Sequence, residues 1–168
     1  MSIPFWALSA AFWLHMLATV GWIGALATAA LLVLPAARRS LEAEAYANFL
    51  ADLRRRLDPL SWLSLLTLAA TGMFQMSANP NYQGFLAIAN RWAAAILIKH
   101  IIFFIMIALS AYMTWGILPR LQRIALRQAR GLEAFEADSV LRQETLLMRL
   151  NLILSAIVLG LTAIARAS

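Results

Sequence analysis

Three side chains stand where chemistry would be hardest to explain by packing alone: His15, Lys99 and His100. They are the chain's only histidines and its only lysine, and each sits in a stretch of otherwise apolar residues. Ionisable groups are costly in hydrocarbon, so such positions mark ligand sites, proton sites or close polar pairs. Neutral imidazole is a good axial ligand to haem iron, and two of them on one iron suit electron transfer rather than oxygen binding. Histidine nitrogen joined by methionine sulfur suits copper instead, with methionine favouring Cu(I). Met16 adjoins His15 and Met106 shares a segment with His100, while Met73, Met76 and Met113 add further sulfurs. A third reading leaves each histidine as a hydrogen-bonding group between helices, worth about 1 kcal/mol or less.

The elements that must position these groups are membrane-length helices. The chain has 168 residues, of which 62% are apolar and 13% charged, too little polar surface for a soluble domain of this size. With no cysteine, a disulfide scaffold, thiolate iron–sulfur clusters and cysteine zinc sites are all excluded. Apolar runs predict a single transmembrane domain with four spans, over about 5–34, 60–78, 87–118 and 144–165. Pro35 is expected to stop the first, Pro59 to start the second at its first helical position, and Pro119 to end the third.

Between the spans the pattern changes. Leu41, Ala45, Phe49, Leu53 and Leu57 recur at helical spacing among Glu42, Glu44, Asp52 and Arg54 to Arg56. A second stretch places Arg120, Arg123, Arg127 and Arg130 three or four residues apart. Both read as amphipathic helices lying on anionic lipid or docking a partner. Thirteen of the fourteen basic residues are arginines, and eleven of those fall in the connections between spans one and two or three and four. The net charge of +6 thus reads as a topology signal rather than a nucleic-acid footprint. The positive-inside rule puts both connections in the cytoplasm and both termini outside. The expected architecture is an all-α integral membrane four-helix bundle with two amphipathic interfacial helices on the cytoplasmic side.

Spans one and three run in the same direction, and their histidines lie about ten and twelve residues inside, roughly 15 and 18 Å deep. Two imidazoles at one level can clasp a flat macrocycle between diagonal helices. Trp22, Phe103 and Phe104 are candidates to pack on its edges, Arg91 to hold a propionate, and Lys99 to tune the charge or to bond Asn151. A copper site would instead use His15 and His100 with Met16 and Met106.

The motifs carry a resemblance. His15 with WIGAL at Trp22 to Leu26, NRWAAAILIKHIIFFIMIALSAY from Asn90 to Tyr112, the exit at Pro119-Arg120, and the run from Leu141 to Ile164 resemble the copper-resistance protein D domain family. A membrane oxidase of protoporphyrinogen synthesis looks distantly similar. The resemblance covers nearly the whole chain and implies a bacterial inner-membrane bundle handling copper or haem, with His15 and Lys99 at the family's polar positions. Asn151 stands where many relatives carry an acid, and His100 adds a second histidine directly after Lys99.

The expectation is a haem b protein for electron transfer, ligated by His15 and His100, serving a membrane-protein or outer-face redox partner. The alternatives are a copper-binding or copper-transport protein and a cofactor-free accessory subunit of a larger membrane complex. No nucleotide, nucleic-acid or hydrolase motif is present.

Overall fold

The computed structural model describes residues 3–84, 88, 90–133 and 135–167, without the side chains of residues 43 and 44. Every regular element among them is helical. Helix α1 (Phe5–Ala27) passes through a π-helical turn at Thr28–Val33 into α2 (Leu34–Ser40). Helix α3 (Ala43–Ser77) returns. Helix α4 (Arg91–Tyr112) passes through a second π turn at Met113–Ile117 into α5 (Leu118–Ala129), and α6 (Ala137–Ala167) comes back. Four continuous helical stretches, Phe5–Ser40, Ala45–Ser77, Arg91–Ala129 and Ala137–Ala167, are long and apolar enough to cross a membrane. Their flanks expose Trp13, Val20, Leu66, Phe104 and Ile153, an outward apolar surface that lipid would cover.

None of the three prolines bounds a helix as expected. Pro35 and Pro119 each follow directly on a π turn and occupy the second position of the next α-helix. The wider turn shifts the hydrogen bonding by one residue, so the missing proline N–H falls where the ladder is already being rearranged. Pro59 lies inside α3 rather than at its start. Its ring deprives the carbonyl of Arg55 of a donor, and both residues are exposed, so the loss falls on the outer side of the helix.

The amphipathic stretches are therefore extensions of the spans, not separate helices. The first also buries a different face. Tyr46, Ala47, Leu50, Ala51, Arg54 and Asp58 point inward, while Leu41 and Ala45 are exposed. This stripe packs with Leu26, Ala29, Ala30 and Leu34 of the first stretch and with Ile117, Leu121 and Ile124 around α5. The apolar side of each extension is thus covered by protein. The expected stripe of Leu41 to Leu57 follows a strict period of four, which drifts about 40° per turn against the helix and cannot hold one side.

Local signals delimit the ends. Asn90 caps α4, its Oδ1 accepting from the Ala93 N–H at 2.8 Å. The third span was expected from about residue 87, which lies outside the described residues; the helix itself begins at Arg91. At the end of α5, Gly131 takes a φ of 69°, Leu132 N–H bonds the Arg127 carbonyl and Gly131 N–H bonds that of Gln128. That pair of bonds is a Schellman motif, which needs the left-handed conformation glycine supplies.

Around the bundle, α1 packs on α3, α4 on α6 and α3 on α5, with a thinner α1–α6 contact. Helices α1 and α4 do not form a closely packed pair and lie diagonally. The termini of α1 and α6, the end of α3 and the start of α4 share one end, which holds both histidines. The other end holds the arginine-rich segments.

Candidate functional site

His15 faces α3. Its Nδ1 lies 2.8 Å from the Thr71 hydroxyl, and that hydroxyl donates in turn to the Thr67 carbonyl. With its only proton spent, Thr71 must accept, so His15 carries its proton on Nδ1 and its lone pair on Nε2. Gly72 lies against the ring: a Cβ there would stand 3.4 Å from His15 Cε1. One turn outward, Gln75 Nε2 donates to the Ala11 carbonyl at 3.1 Å and pins α3 to α1 at this level.

His100 lies on α4, its Nδ1 2.7 Å from the Ile96 carbonyl of its own helix. A carbonyl can only accept, so this imidazole too has the Nδ1–H tautomer. The two rings therefore share one protonation pattern, that of metal-ligating histidines held by an outer hydrogen bond.

Lys99 comes within electrostatic range of His15 from across the bundle. Arg166, near the end of α6, acts on Lys99 in turn and places its guanidinium 4.7 Å from the centre of the Phe12 ring. Every aspartate and glutamate falls within residues 42–58 or 133–144, in the arginine-rich half. The histidine end thus brings Lys99, Arg166 and an imidazole together with no acidic side chain to balance them.

Other expected site residues are spread out. Arg91 is exposed at the start of α4. Met16 is 67% exposed on the outer face of α1, whereas Met106 is 3% exposed inside the bundle. Met106, Trp22 and Leu65 form a packed cluster about two turns inward of the histidines, with Phe103 against it. Trp22 thus belongs to a floor beneath the histidine level. Asn151 does not meet Lys99: its amide donates to Ser110 Oγ at 3.0 Å, and its Oδ1 has no hydrogen-bond partner among the described residues. No group of three or more acidic, histidine or cysteine side chains among the described residues could hold a metal ion.

One cluster escaped the sequence reading. Arg54 Nε lies 2.9 Å from Glu144 Oε1, and Arg54 Nη1 lies 3.3 Å from Asp58 Oδ1. The three are 5%, 0% and 7% exposed. A signal existed: Leu141, Glu144, Met148, Asn151 and Ser155 recur at steps of three and four, which puts Glu144 on the inward stripe of α6. Arg54 and Asp58 stand one turn apart on the matching stripe of α3.

Compared with family models, with curated proteins and with solved structures, the chain finds no match.

Proposed function

We propose that the histidine end binds one haem b, with His15 and His100 as axial ligands, and that the protein passes single electrons within a bacterial inner membrane. One observation carries this reading: both histidines of the chain engage Nδ1 in an outer hydrogen bond, His15 to Thr71 and His100 to the Ile96 carbonyl. That pattern directs the Nε2 lone pair to a ligand. The diagonal placement of α1 and α4 supports the reading, because a planar group ligated on both faces needs helices held apart.

The haem iron, when bound, supplies one-electron chemistry. The chain's own groups would orient and hold it. Thr71 would orient the His15 ring, Gly72 would let it pack against α3, and the Trp22, Leu65 and Met106 cluster would exclude water from below. Lys99 and Arg166 would pair with the propionates, with Arg91 as a third cation at the same end. By the positive-inside rule that end faces outward and the arginine-rich segments face the cytoplasm and its anionic lipid. A redox partner in the membrane or at the outer face completes this reading, in keeping with the resemblance to copper-resistance D domains and the related oxidases.

Absorption spectra of the detergent-purified protein, oxidised and dithionite-reduced, test the reading. Sharp reduced α and β bands, lost in both His15→Ala and His100→Ala, are expected. A colourless protein that retains copper would replace this reading with a copper site, and a colourless, metal-free one with an accessory subunit.

A further inference from the structure

We propose that Arg54, Asp58 and Glu144 form a proton-binding site in the arginine-rich half of the bundle, where two carboxylates and one guanidinium together hold one exchangeable proton. A guanidinium group carries its positive charge throughout the pH range of proteins. With both acids ionised the cluster would bear a net negative charge. Enclosing net charge at these depths costs far more than enclosing a neutral set, so a proton completes it.

Among the described residues, no further charged side chain lines the space beside the triad. Tyr46 is the further titratable group that senses Glu144, and as a phenol it adds no positive charge; Arg38 acts on Tyr46 from α2. From α4, the π turn after it and α6, the neighbours are the neutral Ser110, Thr114 and Met148, and from α1 the neutral Trp22. Neutrality must therefore come from within the triad.

A second, independent feature points to exchange with water. Beside the triad lies a cavity of about 20 Å³ lined by Trp22, Arg54, Asp58, Ser61, Ser110 and Thr114. That is room for about one water molecule, which needs two to four polar partners. Trp22 Nε1, Arg54 Nη2 and Asp58 Oδ2 are all buried without a hydrogen-bond partner among the described residues. Two donors and an acceptor thus line a space of water size. Glu144 Oε2 is equally without a hydrogen-bond partner among the described residues, and with Asp58 it completes the pair over which the proton is shared.

Infrared spectra of the full-length protein in lipid nanodiscs, in H₂O and D₂O at neutral pH, test the assignment. The parent protein should show the C=O stretch of a protonated carboxyl, shifted in D₂O. Glu144→Gln should abolish it, because Asp58 alone then balances Arg54. Asp58→Asn should abolish it as well, leaving Glu144 ionised against Arg54, so either variant suffices if the other fails to fold. Glu136→Gln, at an exposed acid, should leave it intact. Absence of the band in the parent, or its survival in either triad variant, would overturn the proposal whether or not haem is bound.

Discussion

The two halves of the bundle handle buried charge in opposite ways. In the arginine-rich half the enclosed guanidinium of Arg54 has carboxylates at 2.9 and 3.3 Å, and the largest apolar cluster surrounds them. At the histidine end Lys99 has Arg166 for company and no acidic side chain. The first half is complete by itself, up to one proton. The second holds cations with no acid of the chain beside them, and on the proposed reading an anionic ligand balances them. The chain's acids are thus confined to one half of the fold, while the other half carries basic side chains alone.

The sharpest way to break this contrast is Arg54→Leu. It leaves Asp58 and Glu144 enclosed without their cation, and removal of one partner from a buried ionic cluster costs about 3–5 kcal/mol. Denaturant titration in detergent should show that loss, whereas Glu144→Gln, which mimics the protonated acid, should cost much less. Equal losses for the two variants would mean that the triad is not charge-balanced by a proton.

Leu50→Ala comes next. Leu50, on α3, is fully enclosed in the apolar cluster that also holds Ile117 and Leu121. Truncating a buried leucine costs about 2–5 kcal/mol, with the low end expected where lipid is the alternative solvent. Leu66→Ala, on the outer face of the same helix, should fall within about 0.5 kcal/mol in the same assay. A small effect at Leu50 would show that the two extensions do not pack on one another.

Lys99→Met should act in the opposite direction. A lysine at the centre of a membrane helix is disfavoured by roughly 2.5–3.5 kcal/mol, and part of that is relieved by the substitution. The ligand-free protein should gain about 1 kcal/mol, since Lys99 is partly buried and also feels the like charge of Arg166. The same variant should retain haem less well in a transfer assay to apomyoglobin. Loss of stability in the ligand-free protein would reveal an anionic partner already within the bundle.

How much of this was legible before folding depends on what each residue's surroundings reveal in one dimension. Four apolar runs sufficed for the spans, because a bilayer demands continuous hydrocarbon and tolerates few exceptions. Prolines misled, because their cost depends on the turn before them: the π turns ahead of Pro35 and Pro119 absorb it, and no local pattern in TAALLV or MTWGI announces them. Arg54 was misplaced because charge is read as exposure until a partner is known, and its partner Glu144 is 90 residues away. The histidine tautomers depend equally on distance. Thr71 is 56 residues from His15, and only the packing of α1 on α3 makes it an acceptor.

That last contact supports the smallest predicted effect and the most specific one. Thr71→Val keeps the shape of the side chain and removes the oxygen that receives the His15 proton. Hydrogen bonds between membrane helices average about 0.6 kcal/mol, so stability should scarcely move. The ring should respond instead. In ¹⁵N spectra of the ligand-free protein His15 should pass from one Nδ1–H form to a mixture of tautomers, while Thr71→Ser keeps the parent signal. His100 is the internal standard, because its acceptor is the Ile96 carbonyl, which no side-chain substitution removes. If His15 in Thr71→Val kept the same tautomer as His100, some group other than Thr71 would be orienting it. The site would then have to be rebuilt around that group.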